Sequence, residues 1–92
     1  MRKQLSPGIL EKLKKVNVRI QKSFYERVTI FEKNPYEPVL NNHELHGQYE
    51  GYRSIDITND YRAIYEEVPS GDEKIAYFSL LGTHKELYEQ QG

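Results

Sequence analysis

The chain has no cysteine, and its most apolar run, Ile75-Ala-Tyr-Phe-Ser-Leu-Leu81, is far shorter than a membrane span, which needs about 20 apolar residues. Without cysteine there is no disulfide framework, no thiolate metal site and no thiol redox chemistry, a composition suited to a reducing compartment. The opening stretch MRKQLSPGILEKLKK lacks the apolar segment and small-residue cleavage site of a secretory signal. No internal repeat and no linker interrupts the sequence. The expectation is a soluble cytoplasmic protein with no membrane partner, folded as a single domain over residues 1–92. A chain of this length buries only a little over ~60 % of its unfolded surface, enough for one core and one small site.

Charge is present but unevenly placed. Residues 1–33 carry nine Lys/Arg against three acids, a net of +6, and residues 34–92 carry four against eleven, a net of −7. A basic stripe suits phosphates or an acidic partner, and it equally suits a solvated helical face. Charge alone leaves both open.

Ser6-Pro7 reads as a helix start, because serine can cap free N–H groups and proline fits the first turn. Ile9, Leu10, Leu13 and Val16 follow at helical spacing. Asn17 caps a second helix whose Ile20, Phe24, Val28 and Phe31 form one apolar stripe ending before Asn34-Pro35, so a helical hairpin is expected. A short strand is expected around Leu5. From Tyr52 the period shortens: 52–57, 61–65 and 75–81 are β-branched and aromatic, parted by the turn compositions Thr58-Asn59-Asp60 and 69–72. This predicts an α+β fold: an N-terminal helical hairpin on an antiparallel sheet of three to five strands, with a short C-terminal helix.

Chemistry concentrates in two stretches. In Gly82-Thr-His-Lys-Glu-Leu-Tyr88, Thr83 and Glu86 have the spacing of a capping box, which makes His84 the first residue of the last helix. The positive end of that helix disfavours imidazolium and offers N–H groups to an anion. Tyr88 falls on the same helical face, where it can stack on a base or pack inward. A half-buried His84 bonded to a neighbouring strand is the equally weighted structural alternative. In Leu40-Asn-Asn-His-Glu-Leu-His-Gly47, Leu40 and Leu45 read as core anchors and Gly47 as a turn, carrying His43 to the sheet edge. His43, His46 and His84 could in principle hold zinc, but their spacing matches no strong motif and no metal is assigned.

Taken in order, L-x-x-H-x-L-x-G (40–47), Gly51-Tyr-Arg53, Asp56-Ile-Thr-Asn-Asp-Tyr61, Ile64-Tyr65 and Leu81-Gly-Thr-His-Lys-Glu-Leu-Tyr88 resemble the YafQ-like branch of the RelE/ParE toxin superfamily of bacterial type II toxin–antitoxin modules. The resemblance runs from about Ser6 to Tyr88. It implies a helical hairpin on an antiparallel sheet, and a ribosome-dependent endonuclease that cuts mRNA in the ribosomal A site without a cofactor and is silenced by a cognate antitoxin. By the same resemblance His43, Asp60 and His84 would be catalytic, Arg53 would face the scissile phosphate, and Tyr88 would stack on a base. The implied roles make His43 the general base and Asp60 the acid or its orienting group, with Arg53 and His84 steadying the phosphorane; the two histidines could exchange places. The basic surface of residues 2–33 would suit an acidic helical segment of the antitoxin.

Asp56 stands where the family pattern has histidine. Two carboxylates placed together, Asp56 and Asp60, would share a proton and let one serve as the acid, but they also set negative charge beside a polyanion. Two alternatives therefore stay open. One is a toxin relic that binds an antitoxin without cutting; the other is a ParE-like inhibitor of DNA gyrase, which needs no histidine constellation.

Overall fold

Ser6 Oγ accepts the Ile9 N–H at 3.0 Å, and Pro7 sits in the first turn, so α1 (Pro7–Lys15) begins where serine and proline place it. At Val16 the backbone turns extended and α1 stops. Asn17 Oδ1 then accepts the Ile20 N–H at 3.0 Å and starts α2 (Val18–Lys33), giving the expected hairpin. Gln21 Nε2 ties the pair by donating to the Leu13 and Val16 carbonyls. This is a computed structural model, and it describes residues 1–88.

Among the described residues there are five strands, β1 (Lys3–Leu5), β2 (His43–Glu44), β3 (Arg53–Asp56), β4 (Tyr61–Ser70) and β5 (Glu73–Thr83), in the sheet order β1-β5-β4-β3-β2. All neighbouring pairs are antiparallel except β1 with β5. The parallel pair departs from the all-antiparallel expectation. Its cause is the connection: the whole helical hairpin and three strands separate β1 from β5, so no tight turn forces them to run in opposite senses. The β4–β5 hairpin is also longer than expected, pairing through Pro69↔Lys74 and Ser70↔Glu73, so the turn shrinks to a tip at Gly71 with φ +64. The last helix is α3 (His84–Tyr88).

Strand alternation gives the sheet two unlike faces. Ile9, Leu13, Phe24, Val28 and Phe31 from the hairpin close over Ile55, Ile57, Ala63, Tyr65, Ala76, Phe78 and Leu81. Among the described residues, the opposite face has only Leu45, Ile64 and Leu87 in its buried cluster, bordered by Tyr49, Tyr52 and Tyr88. The two expected anchors of the 40–47 loop are both buried, but on opposite faces: Leu40 in the large core and Leu45 in the small cluster.

Candidate active site

The β3–β4 hairpin turns over Thr58-Asn59-Asp60, where Thr58 Oγ1 accepts the N–H groups of Asp60 and Tyr61. The register that follows sets Asp56 opposite Arg62 and Ser54 opposite Ile64, so these four side chains share the face away from the helical hairpin. His43 pairs with Ser54 across β2 and joins the same face. Gly82 lies beside Arg62 on β5, and α3 folds back over it. Across the sheet, three inter-strand spacings, roughly 14 Å, separate His43 from His84, which is further offset along the strands because His43 lies in line with Leu80, and Asp56 and Arg62 stand between them.

Arg62 is the residue that sequence reading missed. Its Nε lies 3.0 Å from Asp56 Oδ1, and its Nη1 donates to the Thr58 and Asn59 carbonyls at 2.9 Å and the Tyr61 carbonyl at 3.2 Å. Its Nη2 makes no hydrogen bond among the described residues. The approach to Asp56 is close but not aligned as a hydrogen bond, so the buried Oδ1 has a charge partner without a directed donor. The Asn41 side-chain amide reaches Asp56 Oδ2 at 3.5 Å, and Ser54 Oγ, 1 % exposed as a residue, has no hydrogen-bond partner among the described residues. Asp56 is thus paired with a guanidinium, a partner that the sequence reading did not give it.

His43 is exposed, and its Nδ1 stands 2.8 Å from the carbonyl oxygen of Asn41, a residue in the left-handed region at φ 47. His84 is also exposed, with its ring 4.6 Å from the Tyr88 ring at 39°; the half-buried alternative is not what forms. Tyr88 meets Tyr49 edge to face at 5.4 Å, and Tyr49 Oη donates to the Leu87 carbonyl at 2.7 Å. Burial, with the Tyr49 phenol, pushes the Tyr88 hydroxyl up, while nearby Arg62 pulls the other way. Asp60 approaches His84 through the backbone, its carbonyl accepting the His84 N–H at 3.1 Å.

That bond has a cost for one expectation. The His84 N–H is taken by Asp60 and the Glu86 N–H by Thr83 Oγ1 at 3.0 Å, so the first turn of α3 is not the open anion cradle it promised to be. The capping box itself is complete, with the Thr83 N–H donating to Glu86 Oε1 at 2.8 Å.

Arg53 is not brought to this face. It pairs with Tyr65, donates from Nε to Asn42 Oδ1 at 2.8 Å and stands 5.6 Å over the Tyr36 ring, on the side of the helical hairpin. His46 lies apart, 4.0 Å from Glu50. Among the described residues no three His, Asp or Glu side chains converge where they could share a metal ion.

No protein-family model matches the sequence, and no curated protein matches it significantly. Solved structures do match the fold. The "YoeB/ParE toxin" from Agrobacterium tumefaciens superposes with TM-score 0.69 at 20 % identity, covering 91 % of this chain and 99 % of that one. A YafQ mutant from E. coli gives 0.64 at 22 %, covering 96 % and 99 %. The E. coli DinJ–YafQ complex gives 0.61 at 22 %, also covering 96 % and 99 %.

Proposed function

We propose that this chain, which has the fold of the RelE/YafQ-type toxins, is the toxin of a type II toxin–antitoxin module and an endoribonuclease that cuts mRNA in the ribosomal A site. The observation that carries the chemistry is the 2.8 Å contact from His43 Nδ1 to the Asn41 carbonyl. A carbonyl only accepts, so Nδ1 carries a proton, and the tautomer this selects for the neutral ring has its lone pair at Nε2. That nitrogen shares a sheet face with Asp56, Arg62 and the His84–Tyr88 pair.

In the proposed reaction His43 Nε2 removes the proton from a ribose 2′-OH, and O2′ forms a bond to the adjacent phosphorus. The bond from phosphorus to the 5′-oxygen breaks, leaving a 2′,3′-cyclic phosphate and a 5′-hydroxyl. Asp60 supplies the proton to that leaving oxygen, and His84 helps to steady the charge on the phosphorane. Arg62, whose Nη2 makes no hydrogen bond among the described residues, takes the phosphate-steadying role that the resemblance gave to Arg53. Tyr88 stacks on a base. No resident cofactor and no membrane enters this reading. The proposed partners are the mRNA and a cognate antitoxin; solved complexes of similarly folded toxins, DinJ–YafQ and YoeB–YefM, support the second.

The test is His84→Ala. Cleavage should fall by about 10²- to 10⁴-fold, while the unfolding free energy changes by no more than ~0.5 kcal/mol, since the ring is exposed. Unaltered cleavage, or a protein that unfolds, removes His84 from the chemistry.

The Asp56–Arg62 pair favours one second reading, an antitoxin-binding protein that no longer cuts, because the carboxylate neutralises the cation nearest the centre of the site. If the enzyme is active, Asp56→Asn should tighten RNA binding, lowering KM about threefold or more at low salt through lost repulsion, with turnover retained. A parent and an Asp56→Asn variant that are both well folded and inert toward translated mRNA establish the non-cutting reading.

A further inference from the structure

The turn that carries His84 is held from the far side of the sheet. Glu86 uses its two carboxylate oxygens in opposite directions: Oε1 accepts the Thr83 N–H at 2.8 Å, and Oε2 pairs with Lys12 Nζ of α1 at 2.8 Å. The Thr83 hydroxyl closes the box by accepting the Glu86 N–H at 3.0 Å. Lys12 and Glu86 lie 74 residues apart in sequence, so this contact ties the N-terminal hairpin to the C-terminal helix.

Gly82 makes room for the arrangement. A Cβ built there would stand 3.2 Å from Glu86 Oε1 and 3.4 Å from both Glu86 Cβ and Leu87 Cδ2. Its φ is not in the left-handed region, so glycine serves here for space rather than for backbone freedom. In G-T-H-K-E, glycine admits the carboxylate, threonine and glutamate lock each other, and His84 is the residue between them. Lys12 draws the Glu86 carboxyl below the usual range, and the Thr83 backbone N–H adds to it.

We infer that Lys12, acting through Glu86 and Thr83, is a positioning residue for His84: α1 fixes the turn from which the imidazole and Tyr88 present themselves to RNA. The inference rests on the nuclease reading for its effect on catalysis, but not for its effect on the ring itself. Only a carboxylate fixed at both oxygens keeps the box from rotating.

The experiment compares the parent with Lys12→Met, Lys12→Arg and Glu86→Gln, following the His84 and Tyr88 ring resonances by ¹H–¹³C NMR and, separately, kcat and KM on translated mRNA. Lys12→Met should broaden or split the His84 ring signals and weaken the ring–ring contact to Tyr88. It should lower kcat about tenfold with KM within about twofold, as expected for a displacement of an ångström or less, while Tm drops by no more than a few degrees. Lys12→Arg should restore both readouts, since a guanidinium can still pair with Glu86. Glu86→Gln, which keeps an acceptor for the Thr83 N–H but no charge for Lys12, should fall between. Unchanged ring signals and kcat in Lys12→Met, or failure of Lys12→Arg to rescue, overturn the inference. If the parent does not cut RNA, the nuclease reading fails instead, and the ring signals alone decide the role of Lys12.

Discussion

The two faces of the sheet differ in what they bury. On the hairpin side Phe24, Phe31, Tyr65 and Phe78 meet largely edge to face, with Phe31–Tyr65 and Tyr65–Phe78 centroids at 5.0 Å. On the other side three aliphatic residues are covered by three partly buried tyrosines, and His43, Asp56 and Arg62 lie on the same face. Alternation along β3 and β4 therefore sorts neighbouring residues into separate tasks: Ile55 and Ala63 hold the fold, and Asp56 and Arg62 lie at the proposed site. Reactive groups are kept out of the core because burying an unpaired charge there would cost more than the packing returns.

The sharpest way to break this comparison is to remove one large side chain from each face. Phe78→Ala should cost about 3–5 kcal/mol, since a fully buried ring leaves a cavity its neighbours cannot fill; in a domain of ordinary stability that is a large share of the total. Leu87→Ala should cost about 2 kcal/mol, because its cluster is small and open, and its main effect should fall on α3. Urea unfolding midpoints give both values. Equal losses would mean that the small cluster carries as much of the fold as the large one.

A smaller effect sharpens the comparison at the edge between the faces. Because Lys12 and Thr83 hold the Glu86 carboxyl below its usual range in the folded chain, the group binds fewer protons there than when unfolded. Its stabilisation is complete above the ordinary glutamate range and is lost as pH falls through the lowered value. The pair is partly exposed, so the amount is about 0.2–1 kcal/mol after screening. Denaturation midpoints of the parent and Glu86→Gln should differ at neutral pH and converge in acid; a difference that persists undiminished at low pH assigns the effect to shape rather than charge.

Much of the fold was legible because it is local. Ser6-Pro7, Asn17 and the stripe Ile20, Phe24, Val28, Phe31 specify the hairpin through caps and helical period, and Thr83 with Glu86 specifies α3. What escaped depends on partners distant in the chain. β2 is two exposed residues with no pattern of its own, and the parallel sense in which β1 pairs with β5 has no local signal.

In the site, two errors trace to parity and register. Arg53 stands an odd number of positions from Asp56 on one strand, so it must face away from it. Asp56 and Arg62 are symmetric about Asn59, so a tight hairpin at the expected turn already pairs them, an acid opposite a base. That signal was present and unused. The Lys12–Glu86 bond had no such signal, because nothing local relates α1 to α3.

Whether the open face is a ribonuclease site is tested most directly by inducing the parent chain and His84→Ala in a bacterial host, following growth and mapping mRNA 5′ ends. The parent should arrest growth and create new in-frame ends within translated messages, and His84→Ala, equally folded, should do neither. A folded parent that leaves growth and mRNA intact, or a His84→Ala variant that cuts as the parent does, would contradict it.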